Sequence, residues 1–299
     1  MKLCNTTENY LYFCKDEFEK LTELKRAGFK YADFSMYGDE ARAFLHDNWR
    51  DDIKRLKEHA EKLGVKYVQA HSPAFETLET LDPNENWDEK LKETIRSIEI
   101  CGELDIPMTV IHAGVKRHTS KEDHLRLNKE FYELLIPVME KTGVNVLVEN
   151  VGAEDNNGRY YFNNATRLRE FIEYFNHPLL HACWDIGHAN SMNLNQAEEM
   201  AILGEHLYAI HFNDNNAIDD QHRIPFLGTT NQDNAIRGLI NVNFKGPFTF
   251  ECGGTFRELK KFDKASDKQN LAIDVLRASE KLLFEMGKYL LSSYGVYEE

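Results

Sequence analysis

The chain has 299 residues, and its 36 Lys and Arg against 50 Asp and Glu give a formal charge of −14. Hydrophobic residues make up 42% and charged residues 29%, ordinary globular values that exclude a disordered or collagen-like chain. The acidic balance argues against a general nucleic-acid binder and against binding to an anionic membrane, because both need a cationic face. It leaves small anionic substrates open, because a few local basic residues can bind them.

The cysteines and the N-terminus indicate a cellular compartment. The five cysteines are an odd number and none lies in a CxxC pair, which favours buried thiols in a reducing environment. Residues 1–8 lack the apolar segment of a signal peptide, and no run approaches the roughly 18 apolar residues of a membrane helix. We therefore expect a cytoplasmic protein that does not enter a membrane.

Short β-rich runs alternate with longer amphipathic stretches along the chain. The predicted strands are Lys2–Asn5, Tyr31–Met36, Tyr67–Ala70, Thr109–His112, Val144–Glu149, His181–Trp184, Leu207–Phe212 and Pro247–Glu251. The predicted helices are Glu17–Ala27, Arg50–Leu63, Trp87–Leu104, Glu122–Lys141, Arg167–Phe175, Gln196–Leu203, Asn234–Leu239 and Gln269–Leu290. The segment Ser292–Glu299 is expected to be a loose tail.

Eight strand-then-helix units predict one α/β domain, a (β/α)8 TIM barrel that spans residues 1–299. A doubly wound open sheet is the rival fold. That fold needs a glycine-rich phosphate turn after its first strand, and Asn5-Thr6-Thr7-Glu8 is not such a turn. No linker or abrupt change of composition divides the chain.

Polar residues stand at the carboxyl ends of six consecutive predicted strands, from the third to the eighth. In a barrel these ends converge on one mouth, where active sites lie. One strand that stops at a polar residue is unremarkable, whereas six in succession indicate a site. Trp184 directly precedes Asp185, so it points to the opposite side of the strand and is expected to pack outward against helices. The strand ends are Gln69-Ala70-His71, Ile111-His112, Val148-Glu149-Asn150, Trp184-Asp185, Ile210-His211 and Phe250-Glu251.

Four of these residues suit a divalent cation. Glu149, Asp185, His211 and Glu251 come from four neighbouring strands. Three carboxylates and one imidazole gathered around a point would repel one another unless a cation lay between them. With a cation they provide three oxygen ligands and one nitrogen ligand, a set suited to Mn²⁺, Mg²⁺, Co²⁺ or Zn²⁺. The sequence therefore predicts a metal site at the mouth.

The motifs His71, His112, Glu149-Asn150, Asp185-Ile186-Gly187-His188, His211 and Glu251, together with the segment Asp220–Thr229, resemble the xylose isomerase-like barrel superfamily. The resemblance rests on the order and spacing of these motifs. It is clear from the third to the eighth strand and weaker in the first two units. The superfamily contains sugar isomerases, ketose 3-epimerases, sugar-phosphate epimerases and endonuclease IV-type repair enzymes.

The epimerase branch of this superfamily implies roles for the matching residues. There, residues matching Glu149, Asp185, His211 and Glu251 hold one divalent metal, and the two glutamates are the acid/base pair. The resemblance implies an isomerase or epimerase of a sugar or sugar phosphate that removes a proton next to a carbonyl and forms an enediolate stabilised by the metal. Substrate binding is assigned to four further residues, His71, His112, His188 and Arg223.

The endonuclease IV branch is the alternative function, a metal-dependent phosphodiesterase acting on abasic DNA. Its enzymes hold three zinc ions with a set that this chain also matches. A second or third ion, bound through His71, His112, Asp220 and His222, therefore stays open. The matching residues are His71, His112, Glu149, Asp185, His188, His211, Asp220, His222 and Glu251.

Three features favour the sugar interpretation. The charge of −14 fits poorly with binding a DNA backbone, and Lys116-Arg117-His118 is the only basic cluster near the predicted mouth. The segment His222–Thr229 resembles the sugar-enzyme branch, where Asp-x-His-x-x-Pro precedes a glycine. We expect a small sugar substrate, no nucleic-acid partner and no cleavage of abasic DNA. The sequence leaves open the sugar, its phosphorylation, isomerisation against epimerisation, the metal, and the oligomeric state, with which a homo-oligomer is compatible.

Overall fold

The structure is a computed structural model that describes residues 1–36, 41–73, 87–114, 119–152, 161–255 and 269–299. Eight parallel strands close into a barrel in which each strand pairs with the next and the last pairs with the first. The predicted (β/α)8 TIM barrel is confirmed, and each predicted strand overlaps an observed one. The strands are β1 Leu3–Thr6, β2 Tyr31–Ser35, β3 Lys66–His71, β4 Met108–Val110, β5 Asn145–Glu149, β6 Leu180–Asp185, β7 Leu207–Phe212 and β8 Phe248–Phe250.

Helices surround the barrel. The α-helices are α1 Glu17–Ala27, α2 Trp49–Leu63, α3 Trp87–Glu103, α4 Lys121–Glu133, α5 Ile136–Thr142, α6 Ala165–Phe175, α7 Ile186–Ser191, α8 Gln196–Leu203, α9 Gln232–Asn241 and α10 Gln269–Ser293. Short 3₁₀ helices cover Thr7–Tyr10, Ala41–Phe44 and Gly204–His206. Within the described ranges, no helix combines the length and the apolar character needed to cross a membrane.

The single helix predicted over Glu122–Lys141 is wrong, because two helices, α4 and α5, occupy that range. Pro137 lies in the first turn of α5. A proline nitrogen has no hydrogen to donate and its ring clashes with the preceding turn, so a continuous helix is disfavoured there. At the start of a new helix the missing donor costs nothing, because the first N–H groups of a helix have no partner within it.

The C-terminal segment is not the predicted loose tail. Helix α10 continues to Ser293, and the chain then returns to its own N-terminus. The ammonium group of Met1 lies 2.7 Å from Oε1 of Glu298 and also donates to the carbonyl of Val296. The N–H of Glu298 donates to the carbonyl of Met1 at 3.0 Å. The two chain ends therefore hold each other.

Apolar side chains form one large cluster outside the barrel, between the strands and the helices. Val146 and Val148 of β5 belong to it, as does Trp184 of β6. The indole N–H of Trp184 donates to Oε1 of Gln196 in α8 at 2.9 Å. The outward packing predicted for Trp184 is confirmed.

A small second cluster fills the barrel interior, with Val110, Leu147, Cys183 and Ala209 fully buried. Successive side chains of a strand point to opposite faces, so every second residue of each strand points inward. The next inward positions after Leu147, Cys183 and Ala209 lie at the carboxyl ends of their strands. That is where the charged residues of the predicted site stand.

Candidate metal centre

Four residues of the predicted metal site meet at the carboxyl end of the barrel. Glu149 and Asp185 end β5 and β6, His211 is the penultimate residue of β7, and Glu251 directly follows β8. One ligand atom from each lies within 4.8 Å of the others. Glu149 is 1% exposed, Asp185 and His211 are 0% exposed and Glu251 is 5% exposed. The parallel register, which pairs Asp185 with His211, sets this convergence.

The imidazole of His211 lies between the two glutamates. Its Nδ1 is 2.8 Å from Oε1 of Glu149 and 3.3 Å from Oε2 of Glu251. Its Nε2 is 2.9 Å from Nε2 of Gln69, and Oε1 of Gln69 accepts a hydrogen bond from Thr249 at 3.1 Å. Both ring nitrogens are therefore engaged, which holds the ring with Nδ1 towards the carboxylates.

Asp185 is held by two asparagines. Asn150 binds its backbone in both directions, accepting from the N–H at 2.6 Å and donating to the carbonyl at 2.9 Å. One carboxylate oxygen caps helix α7 by accepting the N–H of His188 at 2.6 Å, and the other accepts from Asn213 at 2.8 Å. A Cβ at position 187 would lie 1.8 Å from Oδ1 of Asn213, so Gly187 is what lets Asn213 approach.

The two glutamates have opposite pKa shifts. Burial opposes ionisation of Glu149, but the charge of His211 and the hydrogen bonds from His112 and His211 hold its pKa well below the usual range. Burial, and then the negative charge of Glu149, raise the pKa of Glu251 well above the usual range. The two neighbouring carboxyl groups therefore differ in how tightly they hold a proton.

The chemistry of the four residues fits a divalent cation. Three carboxyl groups and one imidazole lie close together in a buried space. A cation bound between them would offset the repulsion among the carboxylates. The ligand types are hard oxygens and one nitrogen, which suit several divalent metals and do not select one of them. The residues Glu149, Asp185, His211 and Glu251 can thus hold a metal ion.

A second group of ligand type lies beside Glu149. Nε2 of His112 is 2.9 Å from Oε2 of Glu149 and 3.2 Å from Nε2 of His71. His71 and His112, which the sequence assigns to substrate, therefore share a carboxylate with the four-residue centre. Burial lowers the pKa of His112, whereas the hydrogen bond and charge of Glu149 outweigh burial and raise the pKa of His71.

A third group lies beside Asp185. Oδ2 of Asp220 is 3.2 Å from Nε2 of His188 and 3.2 Å from Nε2 of His222. Asp185, His188 and His222 also bring ligand atoms within 4.8 Å of one another. Burial opposes the charged form of His222, but the hydrogen bond and charge of Asp220 raise its pKa to about 9. His222 has a φ of +44°, a costly backbone conformation that is typical of functional sites.

Arg223 is the predicted substrate residue that the structure does not join to these groups. Its backbone pairs with Asp214 in both directions at 2.8 Å, and its guanidinium donates to the carbonyl of Leu227 at 3.3 Å. These contacts hold the Arg223 side chain against the loop to which it belongs. The basic cluster Lys116-Arg117-His118 lies outside the described residues.

No role is predicted from the sequence for Gln69 or Asn213, two polar residues that orient His211 and Asp185. Gln69 stands two positions before His71 and points into the barrel, and that spacing was the available signal. Asn213 stands two positions after His211 and shows the same spacing.

The amino-acid sequence is similar to that of known proteins. The profile of the xylose isomerase-like TIM barrel family matches residues 21–277. An uncharacterized protein of Methanocaldococcus jannaschii is 28% identical over 208 residues, which cover 67% of this chain and 69% of the relative.

Several solved structures share the fold. A D-tagatose 3-epimerase-like protein aligns with a TM-score of 0.68 at 20% identity over 93% of this chain and 99% of its own. The E. coli 3-keto-D-glucoside 4-epimerase aligns with a TM-score of 0.68 at 18% identity, with the same coverage. A D-psicose 3-epimerase of Clostridium cellulolyticum H10 aligns with a TM-score of 0.71 at 15% identity over 97% and 99%. Because the family profile covers most of its length, the chain belongs to the xylose isomerase-like TIM barrel family.

Proposed function

We propose that the protein is a divalent-metal-dependent isomerase or epimerase of a sugar or sugar phosphate. The observation that carries the proposal is the pair Glu149 and Glu251, which flank one nitrogen of His211 within the buried four-residue ligand group. The solved structures with the same fold include proteins named as epimerases of ketoses and of a keto-glucoside, which supports sugar chemistry.

In this proposal the two glutamates move the proton. Glu149 accepts the proton from the carbon next to the substrate carbonyl, and Glu251 delivers a proton from another direction. Epimerisation results when Glu251 adds a proton to the opposite face of the same carbon, and isomerisation when the proton is added to the neighbouring carbon instead. A metal ion bound by Glu149, Asp185, His211 and Glu251 would polarise the carbonyl and lower the pKa of that C–H.

The remaining predicted residues receive binding roles. His188 lies in α7 beside Asp185 and is proposed to contact a substrate oxygen. His71 and His112, which lie beside Glu149, are proposed to contact the substrate as well. Arg223 is proposed to meet hydroxyls or a phosphate from its loop. Asp220 and His222, which contact each other, are proposed to serve with His71 and His112 as ligands of a second or third ion.

The setting of the enzyme is also part of the proposal. All five cysteines are unpaired and four of them are buried, which supports a reducing compartment such as the cytoplasm. We propose that the whole chain acts as one domain on a small molecule. A homo-oligomer is compatible with this role.

Phosphodiester cleavage of abasic DNA is the second candidate function. The observation that favours it is the contact of all nine residues of the endonuclease-type set in three adjoining groups. The formal charge of −14 argues against it, because DNA-binding enzymes gain affinity by releasing counterions to Lys and Arg.

Two assays on one metal-loaded preparation separate the candidates. The first measures exchange of carbon-bound hydrogen in D₂O across a panel of ketoses, aldoses and their phosphates. The second measures incision of an oligonucleotide with one abasic site at low salt. We expect exchange, lost in Glu149→Gln, and no incision. Efficient incision at low enzyme concentration, abolished by Glu149→Gln, would overturn the sugar proposal.

A further inference from the structure

The backbone that carries Glu251 is fixed by two side chains from other parts of the chain, His222 and Asn9. Strand β8 ends at Phe250, so the peptide bond between Glu251 and Cys252 lies beyond the strand. Both polar atoms of this peptide bond are nevertheless bound. The carbonyl of Glu251 lies 3.2 Å from Nδ1 of His222, and the N–H of Cys252 donates to Oδ1 of Asn9 at 3.1 Å.

Asn9 takes the place of a strand partner at this point. The neighbouring strand β1 pairs with β8 only as far as Asn5 with Phe250, and the chain then turns into the 3₁₀ helix Thr7–Tyr10. The ladder therefore stops before it reaches Cys252, whose N–H is buried and needs an acceptor. The side chain of Asn9, 4% exposed, provides that acceptor.

An asparagine amide can serve this purpose only in one orientation, because its other end is a donor. The amide nitrogen of Asn9 faces three oxygens, at 3.0 Å from Oδ1 of Asn5 and at 3.3 and 3.4 Å from the two carboxylate oxygens of Glu280. Its oxygen is thereby turned towards Cys252. Glu280 comes from α10, far along the chain, and is 4% exposed.

Glu280 is a buried acid among neutral partners. It accepts hydrogen bonds from Asn5 of β1 at 2.6 Å and from the hydroxyl of Tyr10 at 3.1 Å, besides those from Asn9. The thiol of Cys252 also faces it, and within the described ranges none of these partners is a cation. Burial raises the pKa of Glu280 to about 7. As a carboxylate it accepts from Asn9 with both oxygens, whereas the protonated acid offers one acceptor fewer.

We propose that Asn9 and Glu280 are positioning residues for Glu251: Glu280 orients the Asn9 amide, and Asn9 fixes the peptide bond from which the Glu251 side chain reaches the centre. Only the role of Glu251 in turnover rests on the proposed function. Its effect on metal binding follows from geometry alone, because Glu251 lies in the four-residue ligand group.

The test measures metal affinity by chelator competition, together with thermal melting. Asn9→Ala is expected to weaken Mn²⁺ or Zn²⁺ binding about 10–100-fold, the usual cost of removing a residue that orients a ligand. Tyr10→Phe is the matched control, because it removes one buried hydrogen bond to Glu280 and leaves the contacts of Asn9 in place. It is expected to lower the melting temperature and keep the wild-type metal affinity.

A pH comparison adds a readout that a purely structural role would not change. Glu280→Gln is nearly isosteric and uncharged at every pH. We expect its metal affinity to equal that of the wild type at about pH 6 and to fall below it at about pH 8, because the wild-type carboxylate forms between these values. The ratio of the two metal affinities at each pH cancels the titration of the metal ligands, because both proteins share those ligands.

The outcomes distinguish the two proposals. Wild-type metal affinity in a folded Asn9→Ala protein would overturn the positioning role. If that variant does not fold, a Glu280→Gln to wild-type affinity ratio that is the same at both pH values overturns the role instead. Weakened metal binding in a protein that turns over no sugar would support the positioning role and overturn the proposed function.

Discussion

Two layers inside the barrel have opposite character, although the same strands build both. In the lower layer Leu147, Cys183 and Ala209 pack together with no exposure to solvent. Two residues further along the same strands, Glu149, Asp185 and His211 form a charged layer that is equally buried. The backbone geometry is the same in both layers, and only the side chains and their access to the mouth differ.

The contrast teaches how an acidic site is kept reactive. The apolar layer excludes water from below, so the carboxyl groups above it interact strongly and their pKa values separate. The charged layer gains little packing energy and carries mutual repulsion, whereas the apolar layer stabilises the barrel. In barrels of this type, function lies at the carboxyl ends of the strands and stability below them.

The largest expected effect comes from the charged layer. Glu149→Gln or Glu251→Gln should lower turnover about 10²–10⁴-fold, because an amide cannot accept or deliver the proton. The measurement is exchange of substrate carbon-bound hydrogen in D₂O, with the melting temperature as a check on folding. Exchange at the wild-type rate in either variant would show that this glutamate is not the base for that step.

Loss of Asp185 should separate metal binding from folding. Asp185→Ala and Asp185→Asn are both expected to lose most bound metal after dialysis, because each removes a charged ligand. Only the alanine variant also loses the cap of α7, which should cost about 1 kcal/mol of stability. Metal analysis and thermal melting measure the two effects, and full metal content in either variant would contradict the assignment of Asp185.

A change in the apolar layer should do the reverse. Leu147→Ala is expected to lower the free energy of unfolding by about 2–5 kcal/mol, because it leaves a cavity inside the barrel. Metal content and turnover per folded molecule should stay near wild-type values at a temperature where the variant is folded. A variant of unchanged stability that has lost turnover would break the comparison between the layers.

A pH-dependent gain of stability is expected in Glu280→Gln. The folded-state pKa of Glu280 is about 7 against an ordinary 4.5, so the folded protein holds this proton more tightly than the unfolded chain. Wild-type stability from this group therefore falls as pH rises from about 4.5 to about 7, by up to about 3 kcal/mol. Glu280→Gln should lack this loss. Denaturant unfolding at about pH 5 and about pH 8 measures it, and an equal difference at both would contradict the prediction.

The sequence could predict the barrel and the main ligand group because both follow from local patterns. Each strand is a short apolar run that stops at a polar residue, and parallel strands of a closed barrel must bring those ends to one mouth. Glu149, Asp185, His211 and Glu251 could be found for that reason. The break before α5 could also have been predicted, since Pro137 is a local signal.

Only the tertiary structure decided the contacts that join distant elements. The Asn9 amide meets Cys252, 243 residues away, and Glu280, 271 residues away. No periodicity relates these positions, because an amide–carboxylate contact depends on how α10 and the 3₁₀ helix Thr7–Tyr10 pack against β8. The docking of the chain end on Met1 has the same origin. Strands can be predicted from the pattern of neighbouring residues. The partners of a buried polar group depend instead on which distant segments the closed barrel brings together.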